Sequence, residues 1–246
     1  MKIMQLLRDN ATRAKQPVNL AHSETEATLY IYDVISAEWG VGAVEVISAI
    51  AQVGDVKTLN VHISSPGGDV FESRAIMAAI ERFPGNTVAH IDGLCASAAT
   101  SIALACNEVV MSSGAFFMIH NASGMAWGDK TTLRETADLL EKIESVIVTD
   151  YTKKTGKPAA EIVAMMEVET WMTSAEALDH GFVDRVTDAK AKPANAWNLA
   201  AFKNAPTAKS TPPPDPANDT PTEPAKAAGF FTSATNQNRL TLLSIQ

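Results

Sequence analysis

The sequence predicts an α/β domain with a largely parallel sheet, and three observations predict it. From Thr28 to Ala105, apolar runs of strand length alternate with stretches of helical periodicity, the pattern of parallel strands covered by helices. Apolar residues make up 46% of the 246-residue chain, enough for a substantial core. Beyond residue 190 the composition changes, and eight of the twelve prolines fall there in Ala/Thr/Pro-rich sequence. Such a stretch is linker or tail rather than core. The expected division is an N-terminal arm at 1–25, a folded domain at 26–187, and a disordered linker and tail at 188–246.

Taken in order, residues 1–25 are polar and aperiodic. Leu29 to Ile31 reads as a strand, Val44 to Ile50 as a helix and Leu59 to Ile63 as the next strand. Asp69 opens a helix carrying Val70, Ile76, Met77 and Ile80 at helical spacing. Thr87 to Ile91 is again a strand, Ala98 to Ala105 an apolar helix, and Ala115 to Ile119 an apolar strand. Residues 131–154 form one long helix with a stripe of Leu133, Ala137, Leu140, Ile147 and Tyr151, broadened by Thr136, Leu139, Ile143 and Val146. Gly156-Lys157-Pro158 ends it. The tail carries two short apolar patches, Gly229 to Phe231 and Leu240 to Ile245, read either as a docking segment or as a frayed terminus.

Charge divides unevenly. Residues 1–186 carry 14 Lys and Arg against 24 Asp and Glu, whereas 187–246 carry 6 against 4. An acidic domain without a basic stripe argues against nucleic acid as substrate or partner. Two cysteines, Cys95 and Cys106, cannot support a disulfide scaffold and lack metal-ligand spacing. No cofactor is implied. The opening residues are too soon interrupted for a signal peptide, and the most apolar window, Val88 to Cys106, contains His90 and Asp92. A soluble intracellular protein is expected, with no membrane partner.

Three segments carry chemistry. Gly93 to Thr100 sets Ser97 among small residues at a strand-to-helix junction, where an N-cap role is the plain alternative. Ser65-Pro66-Gly67-Gly68-Asp69 follows a strand, and its glycines expose backbone N–H groups of the kind that stabilise an oxyanion. Met118-Ile119-His120 ends an apolar strand on a histidine. Each is weak alone. Together they supply a nucleophile, a base and oxyanion donors.

Their order and spacing resemble the Clp-type serine peptidases, the ClpP family within the wider crotonase-like fold. The resemblance rests on Ser65-Pro66-Gly67-Gly68, Gly93 to Ser97, Met118-Ile119-His120, and Thr173-Ser174-Ala175-Glu176-Ala177 followed by Gly181-Phe182-Val183-Asp184. It covers roughly residues 25 to 187. It implies a spiral of β-β-α units with a protruding handle helix at 131–154. It also implies Ser97 as nucleophile, His120 as general base and then acid, and backbone N–H groups of Gly68 and Ala98 as the oxyanion hole. Family spacing puts the third triad member at Glu169, where the cellular enzymes usually carry Asp. Glu167 remains an alternative.

Several details resemble the bacteriophage head-maturation branch of that family: Tyr30 to Ile35 with Trp39 nearby, Gly67 to Phe71, Glu169-Thr170-Trp171, and the Pro-rich tail. The expected function is a serine endopeptidase that processes scaffold or capsid proteins in the host bacterial cytoplasm, within or beside the assembling prohead. The expected assembly is a homo-oligomeric ring. The alternatives are a cellular proteolytic subunit fed by an unfoldase ATPase, a crotonase-like acyl-CoA enzyme, and an inactive capsid component.

Overall fold

The computed structural model describes residues 2–10, 12–190 and 197–206. Its elements run α1 (Lys2–Asp9), β1 (Asn19–His22), β2 (Glu26–Ile31), α2 (Ala43–Ala51), β3 (Thr58–Ser65), α3 (Val70–Glu81), β4 (Asn86–Ala96) and α4 (Ala98–Leu104). They continue with β5 (Glu108–Ser113), β6 (Phe116–Ile119), α5 (Lys130–Thr155), α6 (Ala159–Glu167), β7 (Thr170–Thr173), α7 (Ser174–Asp179) and β8 (Arg185–Lys190).

One mixed sheet in the order β1-β2-β3-β4-β5-β8 organises the fold, with β6 joining β4 and β7 joining β6. From β2 to β8 the main path is parallel, which fits its helical crossovers. Alternation in β2 buries Ala27, Leu29 and Ile31 while Thr28 and Tyr30 stay half-exposed or polar-facing, so one face of the sheet meets the core. The eleven-residue β4 serves two neighbours in turn. Val88 to Ile91 pairs with β5, and Leu94 to Ala96 pairs with β6. The break at Asp92-Gly93 therefore carries the chain from the main sheet into the sub-sheet that holds the site.

α4 lies inside the molecule: every residue from Ala98 to Ala103 is buried. Small side chains let it approach the sheet closely, and Ile102 supplies the bulk. α3 begins on Asp69, whose carboxylate accepts from the Phe71 and Glu72 N–H groups. α5 begins in the same way on Asp129 and ends at Gly156 with φ +71°. Its 26 residues extend about 39 Å. Only Ile147, Val148 and Tyr151 in its second half are buried, while Leu133, Leu139 and Val146 are exposed.

Both ends of the described chain differ from the arm and tail read from composition. Residues 2–9 are helical and Asn19–His22 pairs antiparallel with β2. Residues 197–206 pack on the domain. The cause is mutual: Leu6 joins Leu94, Ala96, Met118, Ala201 and Phe202 in a second apolar cluster, flanked by Trp171 and Trp197. Asn10 and Asn198 exchange two hydrogen bonds, Asn10 Nδ2 to Asn198 O at 2.9 Å and Asn198 N to Asn10 Oδ1 at 2.8 Å. Arg13 lies 3.7 Å above the Trp197 ring. Local composition conceals these contacts because each segment needs the other. The two apolar patches at 229–231 and 240–245 lie outside the described residues. Among the described residues no helix is long and apolar enough to cross a membrane.

Candidate active site

Ser97 occupies the single residue between β4 and α4, at φ +55° and ψ −128°. It makes no capping bond with its side chain, which removes the N-cap explanation for it. A non-glycine residue at positive φ persists only where its neighbours enforce it. Here the Ser97 N–H donates to Met118 O at 2.9 Å, and Thr100 Oγ1 donates to Ser97 O at 2.6 Å. Thr100 Oγ1 is also 2.6 Å from the buried Tyr151 hydroxyl on α5. The backbone is thus held from the sheet side and from the helix side. The hydroxyl points to His120, with Nε2 to Oγ at 2.8 Å.

The sub-sheet brings the histidine there. β6 runs parallel to the end of β4, with Ala96 opposite Met118. The residues that follow the two strands, Ser97 and His120, therefore emerge at the same end. β7 runs antiparallel to β6, with Ile119 opposite Thr170. Continuing that register by one residue sets Glu169 opposite His120. Glu169 is 5% exposed and is the second of two non-glycine residues at positive φ among those described, at +57°. Its Oε1 accepts from Asn204 N at 2.8 Å and from Trp171 Nε1 at 3.3 Å. Glu167 lies exposed on the last turn of α6.

The Pro66-Gly67-Gly68 turn lies directly against Ser97. A Cβ on Gly67, at φ +89°, would fall 2.5 Å from Ala96 O, 2.7 Å from Ser97 Cβ and 2.9 Å from Ala98 N. One on Gly68 would fall 2.1 Å from Ile35 O. Only glycine permits this approach. Ile35 makes both bonds of its bridge to residues 67 and 69, so the Gly68 N–H is directed away from Ile35. Ala98 is the first residue of α4, whose N–H has no acceptor within the helix.

Pro66, Gly68, Ser97 and His120 line a cavity of about 60 Å³, together with Leu6 and Phe202. It adjoins a groove of about 560 Å³ that shares Gly68, Val70, Ala122 and Ser123 with it. The groove is walled by Phe71 at the start of α3 and by Leu139, Leu140 and Ile143 of α5. Cys95, two residues before Ser97, is fully buried, and burial pushes its thiol far above the usual range. Burial also pushes Cys106 up to about 12. Among the described residues no group of three or more His, Cys, Asp or Glu is placed to hold a metal ion.

The structure therefore brings Ser97 and His120 into contact and sets Glu169 across the ladder from His120. Gly68 and Ala98 flank the same serine. Sequence reasoning missed Leu6, Phe202 and Asn204. Leu6 and Phe202 had only their apolar character as a signal, and the Asn204 contribution is a backbone N–H, which has no sequence signature.

A model of the family described as Clp protease matches residues 13–190. The chain is 28% identical over 132 residues to an ATP-dependent Clp protease proteolytic subunit 2 of Bifidobacterium longum, covering 53% of this chain and 64% of that protein. It is 31% identical over 128 residues to the proteolytic subunit 1 of Protochlamydia amoebophila, covering 50% and 62%. The chain thus spans less than two thirds of the length of these relatives. Among solved structures, a ClpP1 point mutant from Listeria monocytogenes superposes with a TM-score of 0.59 at 22% identity, covering 65% of this chain and 90% of the other. That likeness is one of fold.

Proposed function

The chain belongs to the Clp protease family, and from that premise we propose that it is a serine endopeptidase. The observation that carries the proposal is the 2.8 Å contact between His120 Nε2 and the hydroxyl of a serine held at positive φ. In the proposed reaction Ser97 Oγ attacks the scissile carbonyl carbon and its proton passes to His120 Nε2. The carbonyl oxygen becomes an oxyanion facing the Gly68 and Ala98 N–H groups. Collapse breaks the C–N bond, and His120 returns the proton to the leaving amine. Water then hydrolyses the acyl-enzyme by the same path, restoring the serine hydroxyl and releasing the acid. Glu169 holds the imidazole tautomer and stabilises the imidazolium. The groove beside Ser97 is open enough for an extended peptide, with Phe71 65% exposed at its rim.

For substrate we propose scaffold or capsid proteins of a bacteriophage, processed during head maturation by a ring of identical subunits in the host cytoplasm. The Tyr30 to Ile35 stretch, the Gly67 to Phe71 turn and the Glu169-Thr170-Trp171 segment support this reading. The relatives named as proteolytic subunits of ATP-dependent Clp protease favour a second one, a subunit working with an unfoldase.

A fluorophosphonate probe and co-expression test both levels. Wild type should take up one probe per chain by intact mass and Ser97→Ala none. Labelling of Ser97→Ala would end the serine mechanism. Co-expressed phage scaffold and capsid proteins should be cut by wild type alone. If only an added unfoldase restores cleavage, the cellular reading replaces the phage one. Glu169→Gln should lower turnover on the order of 10²- to 10⁴-fold, and a wild-type rate would remove Glu169 from the mechanism.

A further inference from the structure

The two segments outside the family match, residues 2–9 and 197–206, converge on the site. The second of them reaches both partners of the proposed triad at once. Phe202 packs edge-on against His120 and against Trp171, with ring centroids 5.8 Å apart in each case. Two residues further on, the Asn204 N–H donates to Glu169 Oε1 at 2.8 Å, and its side-chain amide donates to Val168 O at 2.6 Å. Trp171 Nε1 donates to the same Oε1 at 3.3 Å.

We infer that Asn204 and Trp171 are positioning residues that orient the Glu169 carboxylate toward His120, so that residues 197–205 belong to the working site. The inference rests on the reading of Glu169 above. A glutamate carries one more side-chain torsion than an aspartate, and its terminal torsion is soft. Unanchored, it would sweep a range of orientations opposite His120. Two donors converging on Oε1 stop that rotation and leave Oε2 as the oxygen for a bond to His120. They also answer the cost of a carboxylate that is 5% exposed, because a buried charge needs hydrogen-bond donors. The donor segment is itself fixed: the reciprocal Asn10–Asn198 bonds hold one end of it to the residue after α1, and the Asn204 amide holds the other to the end of α6. The arrangement supplies orientation, whereas a simple cover would need no bond to Glu169.

The test uses the full chain and the rate of fluorophosphonate labelling, in which Ser97 Oγ bonds to phosphorus, fluoride leaves and the serine proton passes to His120. Saturation kinetics separate the maximal rate from the half-saturating concentration. Asn204→Pro deletes the N–H donor and should lower the maximal rate on the order of ten- to a hundredfold, with half-saturation within about twofold. Asn204→Ala keeps the N–H and should lose less than Asn204→Pro does. Trp171→Phe removes only the indole N–H and should fall roughly three- to tenfold, which keeps the test decisive if the proline variant fails to fold. In a Glu169→Gln background each change should add less than about twofold, because the group it positions is already gone. Equal losses in both backgrounds would overturn the inference and leave a scaffolding role. Faster labelling in either variant would overturn it in favour of a segment that blocks the site. If Glu169→Gln alone labels at the wild-type rate, the reading of Glu169 has failed and the inference falls with it.

Discussion

The molecule holds two histidines beside a carboxylate and a hydroxyl, and the contrast between them is instructive. On the outer face of the sheet, His62 Nδ1 lies 2.7 Å from Asp92 Oδ2, and the Tyr32 hydroxyl donates to the same oxygen at 2.5 Å. At the other centre, His120 Nε2 lies 2.8 Å from Ser97 Oγ. The side-chain inventory is nearly the same, but the backbone is not. Tyr30, His62 and His90 occupy ordinary opposed positions on β2, β3 and β4, and the two imidazoles stack at 4.5 Å. There the hydroxyl is spent on the carboxylate, and burial followed by Asp92 keeps the Tyr32 proton on far above neutral pH. Around His120, by contrast, Ser97 and Glu169 at positive φ and the Gly67-Gly68 turn set a hydroxyl at a cavity beside the backbone of Gly68 and Ala98. What separates a stabilising cluster from a candidate centre here is backbone geometry.

The largest effect that could break this contrast is at Ser97. Ser97→Ala should cut turnover by a factor on the order of 10⁶ and leave Tm within about 2 °C, since no core atom is lost. Gly67→Ala comes next. Its methyl would press on Ala96 O and the Ser97 and Ala98 backbone, so we expect about 1–3 kcal/mol of destabilisation together with slower fluorophosphonate labelling. Wild-type labelling by that variant would mean that the close approach is not needed. Asp92→Asn sharpens the comparison from the other side. It should cost about 1 kcal/mol, a Tm drop of roughly 2–4 °C, with turnover unchanged; a loss of activity would make the outer cluster more than a structural one.

The smallest effect is a pH dependence. Burial, then the neighbouring His62, holds the His90 pKa below its ordinary 6.5. The folded state thus binds this proton less readily than the unfolded state does. Its contribution is whole above pH 6.5 and is lost as the pH falls through the lowered folded value. Thermal melts from pH 8 to 5 should show Tm declining below 6.5, and His90→Gln should flatten the decline. An unchanged slope would assign the acid sensitivity to other groups.

Much of the fold was legible where local signals agree. Residues 131–154 read as one helix, and α5 spans Lys130–Thr155 because Asp129 and Gly156 cap it as their residue types allow. β4 reads short from its apolar run, since Asp92 and Gly93 interrupt the run while the strand changes partner there. The contact between Ser97 and His120 was foreshadowed only when three segments, each weak alone, were taken together in the order of the resembled family. Glu169 was separable from Glu167 only by family spacing; the structure adds a register that sets it opposite His120. α1 and residues 197–206 were not legible. α1 has an amphipathic pattern of its own, but it is only eight residues long and its partner lies 188 residues away, Asn10 bonding Asn198.

That separation along the chain sets a schedule for biogenesis. Synthesis proceeds from the N-terminus, so Ser97, His120 and Glu169 are all made before Asn198 reaches Asn10 or Asn204 reaches Glu169. A nascent chain that ends near Lys190 already contains every residue of the proposed triad, yet its Glu169 still lacks the Asn204 donor. If that donor sets the rate, purified chains truncated after Lys190 should label slowly with fluorophosphonate, and chains truncated after Pro206 should label quickly. Residues 197–206 would then act as a built-in timer, bringing the proposed triad to full speed only after Asn204 has joined Glu169.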